Sequence, residues 1–158
     1  MLKTINLRKL ITSVAVPVVT GLLGWLFTKN SMDIYNRIIS PPLSPPGYVF
    51  SVVWSILYIL MGISLYIVRE SRVNSSDKSV GYLFFGAQLV FNFLWTIVFF
   101  NLEWYVFAAI WLVLLIVLIA LNIFYFGKVN SVAAALLIPY LLWCAFALYL
   151  NVGIVILN

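Results

Sequence analysis

The chain has 158 residues, of which 65% are hydrophobic and only 8% are charged, with a mean hydropathy of +1.15. Soluble domains carry about 25% charged residues, so this composition excludes a soluble globular protein and indicates one embedded in lipid. The net charge of +5 comes from nine basic residues spread along the chain, which is not the clustered footprint of a nucleic-acid-binding protein. There is no histidine, and Cys144 is the single cysteine, so the usual metal ligands and an internal disulfide are lacking. We therefore expect a membrane protein with no required cofactor, no metal site and no nucleic-acid partner.

Five apolar segments are long enough to span a membrane, since about 20 apolar residues cross the hydrocarbon core as a helix. They lie at about 10–27, 46–68, 80–100, 103–126 and 131–151. The first segment follows basic residues, as in a signal peptide, but it is long and no small-residue cleavage site follows it. The sequence therefore predicts an all-α integral membrane bundle of five transmembrane helices, with residues 1–158 as one domain.

The connection between the first two segments is rich in proline. Four of the six residues at 41–46 are prolines, and they exclude a helix interior because proline lacks an N–H donor and clashes with the preceding turn. Ser44 followed by Pro45 is typical of a helix start, with the Ser44 hydroxyl capping free N–H groups. We therefore predict a stiff loop that leads into the second helix at about Pro46.

Aromatic and amide side chains form one stripe along each of the last four predicted helices. The stripes are Phe50, Trp54, Tyr58 and Met61; Gln88, Asn92, Trp95 and Phe99; Trp104, Ala108, Trp111, Leu115 and Asn122; and Tyr140, Trp143, Ala147 and Asn151, with Pro139 predicting a kink. Amides are costly in lipid unless they find partners, so Gln88 and Asn92 should point inward. The stripes together predict an aromatic interior.

The same residues also have plainer interpretations. These are interfacial anchoring for Trp25, Trp104 and Tyr149, interhelical hydrogen bonding for Gln88 and Asn122, and packing for Trp54, Trp95 and Trp143. No predicted span carries a charge near its centre, which disfavours a proton-coupled transporter and a hydrolase. The hydroxyls of Ser51, Ser55 and Thr96 lack a nearby base and should bond to their own helix backbone.

Positive charge is uneven between the two sides that five spans define. One side carries Lys3, Arg8, Lys9, Arg69, Arg72, Lys78 and Lys128, and the other carries only Lys29 and Arg37. Lys and Arg are retained on the cytoplasmic side. We therefore expect a multi-pass protein of the cell membrane with a cytoplasmic N-terminus and with the first loop and C-terminus on the opposite side.

Three runs of the chain carry a family resemblance. They read PPLSPPGYVFSVVWSILYILMGIS at 41–64, QLVFNFLWTIVFF at 88–100 and LLIPYLLWCAFALYLN at 136–151. Each resembles a motif of the tryptophan-rich sensory protein / translocator protein family (TspO/PBR, the peripheral-type benzodiazepine receptor family). The resemblance implies a five-helix bundle, usually a homodimer, with a ligand cavity under the first loop.

The resemblance also implies a ligand, which is a porphyrin such as protoporphyrin IX or another tetrapyrrole. By their motif positions, the implied ligand-binding residues are Trp54, Tyr58, Asn92, Trp95, Pro139, Trp143, Ala147 and Leu150, to which the stripe on the third helix adds Gln88. Trp54 and Trp143 match tryptophans linked in some bacterial members to light-dependent porphyrin breakdown, so they are catalytic candidates and enzymatic activity stays open. We expect a membrane receptor or sensor; the alternative is a transporter of porphyrin, sterol or related apolar metabolites.

The first loop departs from the family pattern at two positions. Ile34 and Leu43 stand where relatives carry tryptophan, which reduces the expected share of the loop in stacking on a porphyrin. In addition, no Lys or Arg follows Tyr149, although the cholesterol pattern requires one. Specific sterol binding is therefore not predicted.

Overall fold

The computed structural model describes residues 5–31, 33–73 and 76–158, and every regular element in these ranges is a helix. The helices are α1 (Leu7–Thr28), α2 (Ile34–Arg37), α3 (Gly47–Glu70), α4 (Ser76–Phe100), α5 (Tyr105–Val129), α6 (Ser131–Ala135) and α7 (Ile138–Leu157). Five stretches are long and apolar enough to cross a membrane, namely α1, α3, α4, α5 and the stretch Ser131–Leu157 that contains α6 and α7. The predicted all-α bundle of five membrane-spanning helices is confirmed.

The spans are helical because the interior of a bilayer offers the backbone no hydrogen-bonding solvent, and a helix satisfies its N–H and C=O groups internally. Local side chains mark two of the helix starts. The Asn6 side chain accepts the N–H of Lys9 at 3.1 Å at the start of α1. The Asn130 side chain accepts those of Val132 and Ala133 at 2.9 and 3.1 Å at the start of α6.

The predicted cap at Ser44 is wrong. Helix α3 begins at Gly47, and among the described residues no side chain caps it. The Ser44 hydroxyl instead donates to the carbonyl of Pro41 at 2.7 Å, and the Ser44 N–H reaches the same carbonyl at 3.3 Å. This tight turn competes with capping for the hydroxyl, since serine bonds readily to nearby backbone.

The last span is interrupted ahead of Pro139. Helix α6 ends at Ala135, and α7 begins at Ile138 with Pro139 in its first turn. Proline is tolerated there because the first N–H groups of a helix have no intrahelical acceptor. The kink that Pro139 predicts is therefore a break between two helices. Helix α1, by contrast, runs through Pro17 as one helix.

The spans form a ring in which α1 packs on α3 and α4, α4 on α5, and α5 on α7. The ring closes where α6 packs on α3, and there the Ser64 hydroxyl donates to the carbonyl of Ala133 at 2.7 Å. Asn122 joins two spans in the same way, since its amide donates to the carbonyl of Gly81 at 3.0 Å. This bond between α5 and α4 matches the interhelical interpretation of Asn122.

Helices α1 and α3 approach most closely in the half of the bundle away from the first loop. A Cβ atom on Gly62 would overlap the backbone of Val14, so only glycine allows this contact. Arg69 of α3 donates to the hydroxyls of Thr12 and Ser13 of α1 at 2.9 and 2.8 Å. Buried apolar side chains fill this half of the bundle, among them Met61, Leu65, Val68, Phe85, Ile119, Phe126 and Leu137.

Candidate ligand-binding cavity

A cavity of about 700 Å³ lies between α1, α3, α4 and α7 in the half of the bundle next to the first loop. Its wall is mostly apolar and aromatic, with a few amides and hydroxyls. The loop contributes Asp33 and Asn36 at the mouth. Ligand pockets in proteins commonly measure about 300–1,000 Å³ and combine an apolar lining with a few fixed polar groups, so the size and the chemistry suit a small-molecule site.

The aromatic stripe of α3 forms one wall. Phe50, Trp54 and Tyr58 all line the cavity, because residues three or four apart share a helix face. The rings of Trp54 and Tyr58 stack with centroids 5.5 Å apart and an angle of 27° between their planes. Met61, the last residue of the predicted stripe, lies deeper and is fully buried in the core.

Tyr58 fits against α1 because of a glycine. A Cβ atom on Gly21 would overlap the Tyr58 ring, so any larger residue would force the ring or the helix to move. Gly21 itself lines the cavity. The sequence marks Gly21 only as a small residue in an apolar helix, a pattern typical of close helix packing.

A chain of hydrogen bonds lies at the inner end of the cavity. The Tyr58 hydroxyl donates to Oδ1 of Asn92 at 2.8 Å, and Nδ2 of Asn92 donates to the Tyr140 hydroxyl at 3.3 Å. The Tyr140 hydroxyl donates in turn to Oε1 of Gln88 at 2.8 Å, while Nε2 of Gln88 lies 3.8 Å from Sδ of Met61. Buried polar groups need such partners, and a satisfied network fixes its members. Tyr58 and Asn92 face the cavity from this network, whereas Gln88 lies behind them, fully buried.

Helices α4 and α7 form the opposite wall. Trp95 of α4 lines it together with Ala147, Leu150 and Asn151 of α7. The Asn151 amide donates to the carbonyl of Tyr105 at 2.9 Å, but its oxygen has no hydrogen-bond partner in the described part of the chain. The same holds for Nε1 of Trp95. Asn151 is absent from the predicted ligand-binding set although it shares a helix face with Ala147.

The structure brings six of the nine predicted ligand-binding residues to this cavity. They are Trp54, Tyr58, Asn92, Trp95, Ala147 and Leu150. Pro139 and Trp143 instead line a shallow groove of about 460 Å³ on the outer face between α3 and α7. Trp143 makes an edge contact with Phe50 of the cavity wall, at 5.6 Å between centroids. Gln88 takes part through the hydrogen-bond chain behind the wall.

The rotation of α7 explains the position of Trp143. Its fully inward face carries Tyr140, Cys144, Ala147 and Asn151, which follow spacings of four, three and four. Trp143 lies one position before Cys144 and therefore turns to the side. The two loop positions that depart from the family pattern, Ile34 and Leu43, are also absent from the cavity lining. Ile34 is buried at 2% exposure, and Leu43 is 81% exposed.

The loop is fastened to α7. Oδ1 of Asn158 accepts the N–H of Ile39 at 3.0 Å, and Nδ2 of Asn158 donates to the carbonyl of Ile39 at 3.0 Å. The Tyr149 hydroxyl donates to the carbonyl of Pro42 at 2.8 Å. The first loop and the end of α7 therefore lie on the same side of the bundle, and these bonds hold residues 39–42 against α7.

The sequence model of the TspO/MBR family matches residues 13–157, which include all the cavity walls. The chain belongs to the TspO/MBR family. This confirms the resemblance that the three motifs carry, and it agrees with the five membrane-spanning helices.

Individual relatives extend the match over most of both chains. The chain is 37% identical over 154 residues to the tryptophan-rich protein TspO of Archaeoglobus fulgidus, covering 97% of this chain and 99% of the relative. It is 33% identical to the tryptophan-rich sensory protein of Cereibacter sphaeroides, over 78% of this chain and 76% of the relative. It is 31% identical to the translocator protein of Bos taurus, over 85% and 81%. The sequence similarity to the family therefore extends over nearly the whole chain.

Proposed function

We propose that this TspO/MBR-family protein is a membrane receptor that binds protoporphyrin IX and related tetrapyrroles in the cavity under the first loop. The observation that carries the proposal is the stacked pair of Trp54 and Tyr58 on the wall of an apolar cavity of about 700 Å³. A flat macrocycle gains most from aromatic faces presented in such a slot. The name of the Cereibacter sphaeroides relative, a sensory protein, agrees with a receptor.

The polar groups of the ligand would lie at the mouth of the cavity. The amides of Asn92 and Gln88 are already engaged in the hydrogen-bond chain. Lys29 and Arg37 are the basic residues of the described chain on the loop side. Carboxylates of a porphyrin would therefore face this end, where water and positive charge offset the cost of burying them.

The geometry supports a receptor better than a transporter. The cavity reaches no farther from the loop than Val18, Ile59, Asn92 and Ala147, and buried side chains fill the bundle beyond it. It also supports binding better than a breakdown reaction that uses both Trp54 and Trp143, because Trp143 lies outside the cavity behind Phe50.

We also propose that the loop end of the bundle faces away from the cytoplasm. At the opposite end the described chain carries six basic side chains, Arg8, Lys9, Arg69, Arg72, Lys78 and Lys128, against Lys29 and Arg37 at the loop end. This asymmetry follows the rule that Lys and Arg are retained on the cytoplasmic side.

A titration of protoporphyrin IX into the purified protein tests the binding proposal. We expect saturable quenching of tryptophan emission by wild type. Ala147→Phe fills the cavity and should weaken binding by about tenfold or more, a loss of about 1.4 kcal/mol. Ala145→Phe is the matched control, since Ala145 lies on the same helix with its side chain exposed. The proposal fails if wild type shows no saturable binding, or if both variants bind like wild type.

A further inference from the structure

In addition to its mouth at the loop, the cavity is open between α1 and α3. On α1, Leu22 and Trp25 line the cavity and are also 59% and 58% exposed. On α3, Ser51, Ser55 and Ile59 line it and are exposed as well. The cavity residues of α4 and α7 are instead buried or half-buried. A side chain that both lines a cavity and is exposed marks the rim of an opening.

The opening has a defined lower end. The antiparallel register of the two helices places Val14 against Gly62 and Gly21 against the Tyr58 ring. The same register sets the turn at Trp25 opposite the turn at Ser51 and Ser55. The helices are therefore in tight contact at Val14 and Gly62, and the gap between them lies on the loop side of that contact.

This gap faces lipid rather than water. Leu22 and Trp25 lie inside the membrane-spanning α1, and residues 51–59 lie inside the membrane-spanning α3. The Ser55 hydroxyl donates to the carbonyl of Ser51 at 2.7 Å, as expected for a serine without a base nearby. Its donor is satisfied within its own helix, so the rim presents little uncompensated polarity to the hydrocarbon.

The cavity has a second opening at the loop end. Asp33 and Asn36 of the loop and Tyr48 at the start of α3 line the cavity and are exposed. Residues 39–42, which Asn158 and Tyr149 hold through Ile39 and Pro42, do not line it. The loop-end opening faces water, and the gap between α1 and α3 is the opening that faces lipid.

We propose that ligands enter and leave the cavity from the bilayer, through the gap between α1 and α3. The proposal rests on the proposed function and specifies its ligand class: flat, apolar molecules that partition into membranes. Leu22 and Trp25 on one rim and Ser55 and Ile59 on the other then control passage. A substitution at the rim changes the free-energy barrier that a ligand crosses both on entry and on exit. It therefore alters the association and dissociation rates by the same factor.

Stopped-flow binding of protoporphyrin IX to the protein in lipid nanodiscs tests this route. Ser55→Phe narrows the gap and should lower the association and dissociation rates together, by about tenfold for an added barrier of about 1.4 kcal/mol. Ile59→Ala widens the gap and should raise both rates. Ile59 is an exposed residue whose truncation leaves the buried core intact, so this second variant keeps the test valid if Ser55→Phe does not fold.

Two controls separate the possible outcomes. Val52→Phe adds the same ring to an exposed position of α3 that does not line the cavity, and it should leave both rates unchanged. Asn36→Phe narrows the mouth under the loop. The lateral route is overturned if Asn36→Phe slows binding while Ser55→Phe and Ile59→Ala leave the rates unchanged. It is also overturned if none of the three variants alters the rates, which is the result expected when a lipid chain merely fills the gap. Failure of the proposed function would give a different result, since wild type would then show no saturable binding and no association rate could be measured.

Discussion

The Tyr58 hydroxyl donates a hydrogen bond of 2.8 Å to Oδ1 of Asn92 and thereby ties α3 to α4 at the inner end of the cavity. Nδ2 of Asn92 donates a second hydrogen bond, of 3.3 Å, to the Tyr140 hydroxyl of α7. Three of the four helices around the cavity thus meet in one polar chain. The same Tyr58 ring stacks on Trp54 and lies against Gly21, so one residue joins the aromatic wall, the polar chain and α1.

Removing the Tyr58 hydroxyl should destabilise the bundle without removing the aromatic wall. Tyr58→Phe leaves Oδ1 of Asn92 without its donor, and an unsatisfied buried acceptor costs about 1–3 kcal/mol, with lower values of about 0.6 kcal/mol common between membrane helices. Thermal unfolding in detergent measures the loss. Tyr125→Phe is the matched control, because in the described chain the Tyr125 hydroxyl makes no hydrogen bond. Equal melting temperatures for the two variants would show that the bond contributes nothing.

Enlarging Gly21 should impair the cavity directly. In Gly21→Ala the new methyl group overlaps the Tyr58 ring, and the ring must turn away from its stack on Trp54 or from Asn92. We expect porphyrin affinity to fall by about tenfold or more, measured by the same fluorescence titration.

Gly86 supplies the control for this change. A Cβ atom there would meet nothing within 4 Å, and alanine is the better helix former by about 1 kcal/mol. Gly86→Ala should therefore bind like wild type and be equally or more stable. If Gly21→Ala also binds like wild type, the fit of Tyr58 against α1 does not govern the site.

The sequence is sufficient to predict the five spans because apolar length is a property of one segment at a time. The rotation of each helix about its own axis depends on its neighbours, and this is where the prediction of the site is incomplete. Trp54 and Trp143 look equivalent as tryptophans inside apolar helices, yet only Trp54 lines the cavity. The small inner residues Cys144 and Ala147 let α7 pack with Trp143 turned aside.

The contribution of α1 illustrates a second reason. Leu22 and Trp25 border the cavity, but in the sequence they are apolar residues of an apolar helix and carry no polar signal. The stripe on α4 contains amides, and this polar pattern predicts the inward position of Asn92. The residue type of Ser44 predicts a helix cap, but the tight turn at Pro41 uses its hydroxyl.

Breaking the link between the loop and α7 should loosen the first loop around Ile39. Asn158→Ala removes both hydrogen bonds to Ile39. We expect the amide of Ile39 to exchange with solvent about tenfold faster, since local opening costs less free energy when its bonds are removed. Hydrogen–deuterium exchange read by mass spectrometry measures this.

The matched control for the loop is Asn101→Ala. Asn101 donates to the carbonyl of Phe27 at 3.0 Å, on the same side of the bundle but away from Ile39. Asn101→Ala should leave the hydrogen–deuterium exchange rate of the Ile39 amide unchanged. If ligands enter from the bilayer, Asn158→Ala should also leave the porphyrin association rate unchanged, although the first loop is looser. A higher association rate in this variant would favour entry from water.

Labelling of single cysteines should establish the orientation in the membrane. Leu43 is 81% exposed in the first loop and Val73 is 44% exposed at the other end of α3. With a cytoplasmic N-terminus, a membrane-impermeant maleimide added to intact cells should label Leu43→Cys and not Val73→Cys. Inverted membrane vesicles should give the reverse. Wild type is the control, because Cys144 is fully buried and should stay unlabelled in both preparations. Labelling of Val73→Cys in intact cells would indicate the opposite orientation, in which the cavity mouth faces the cytoplasm.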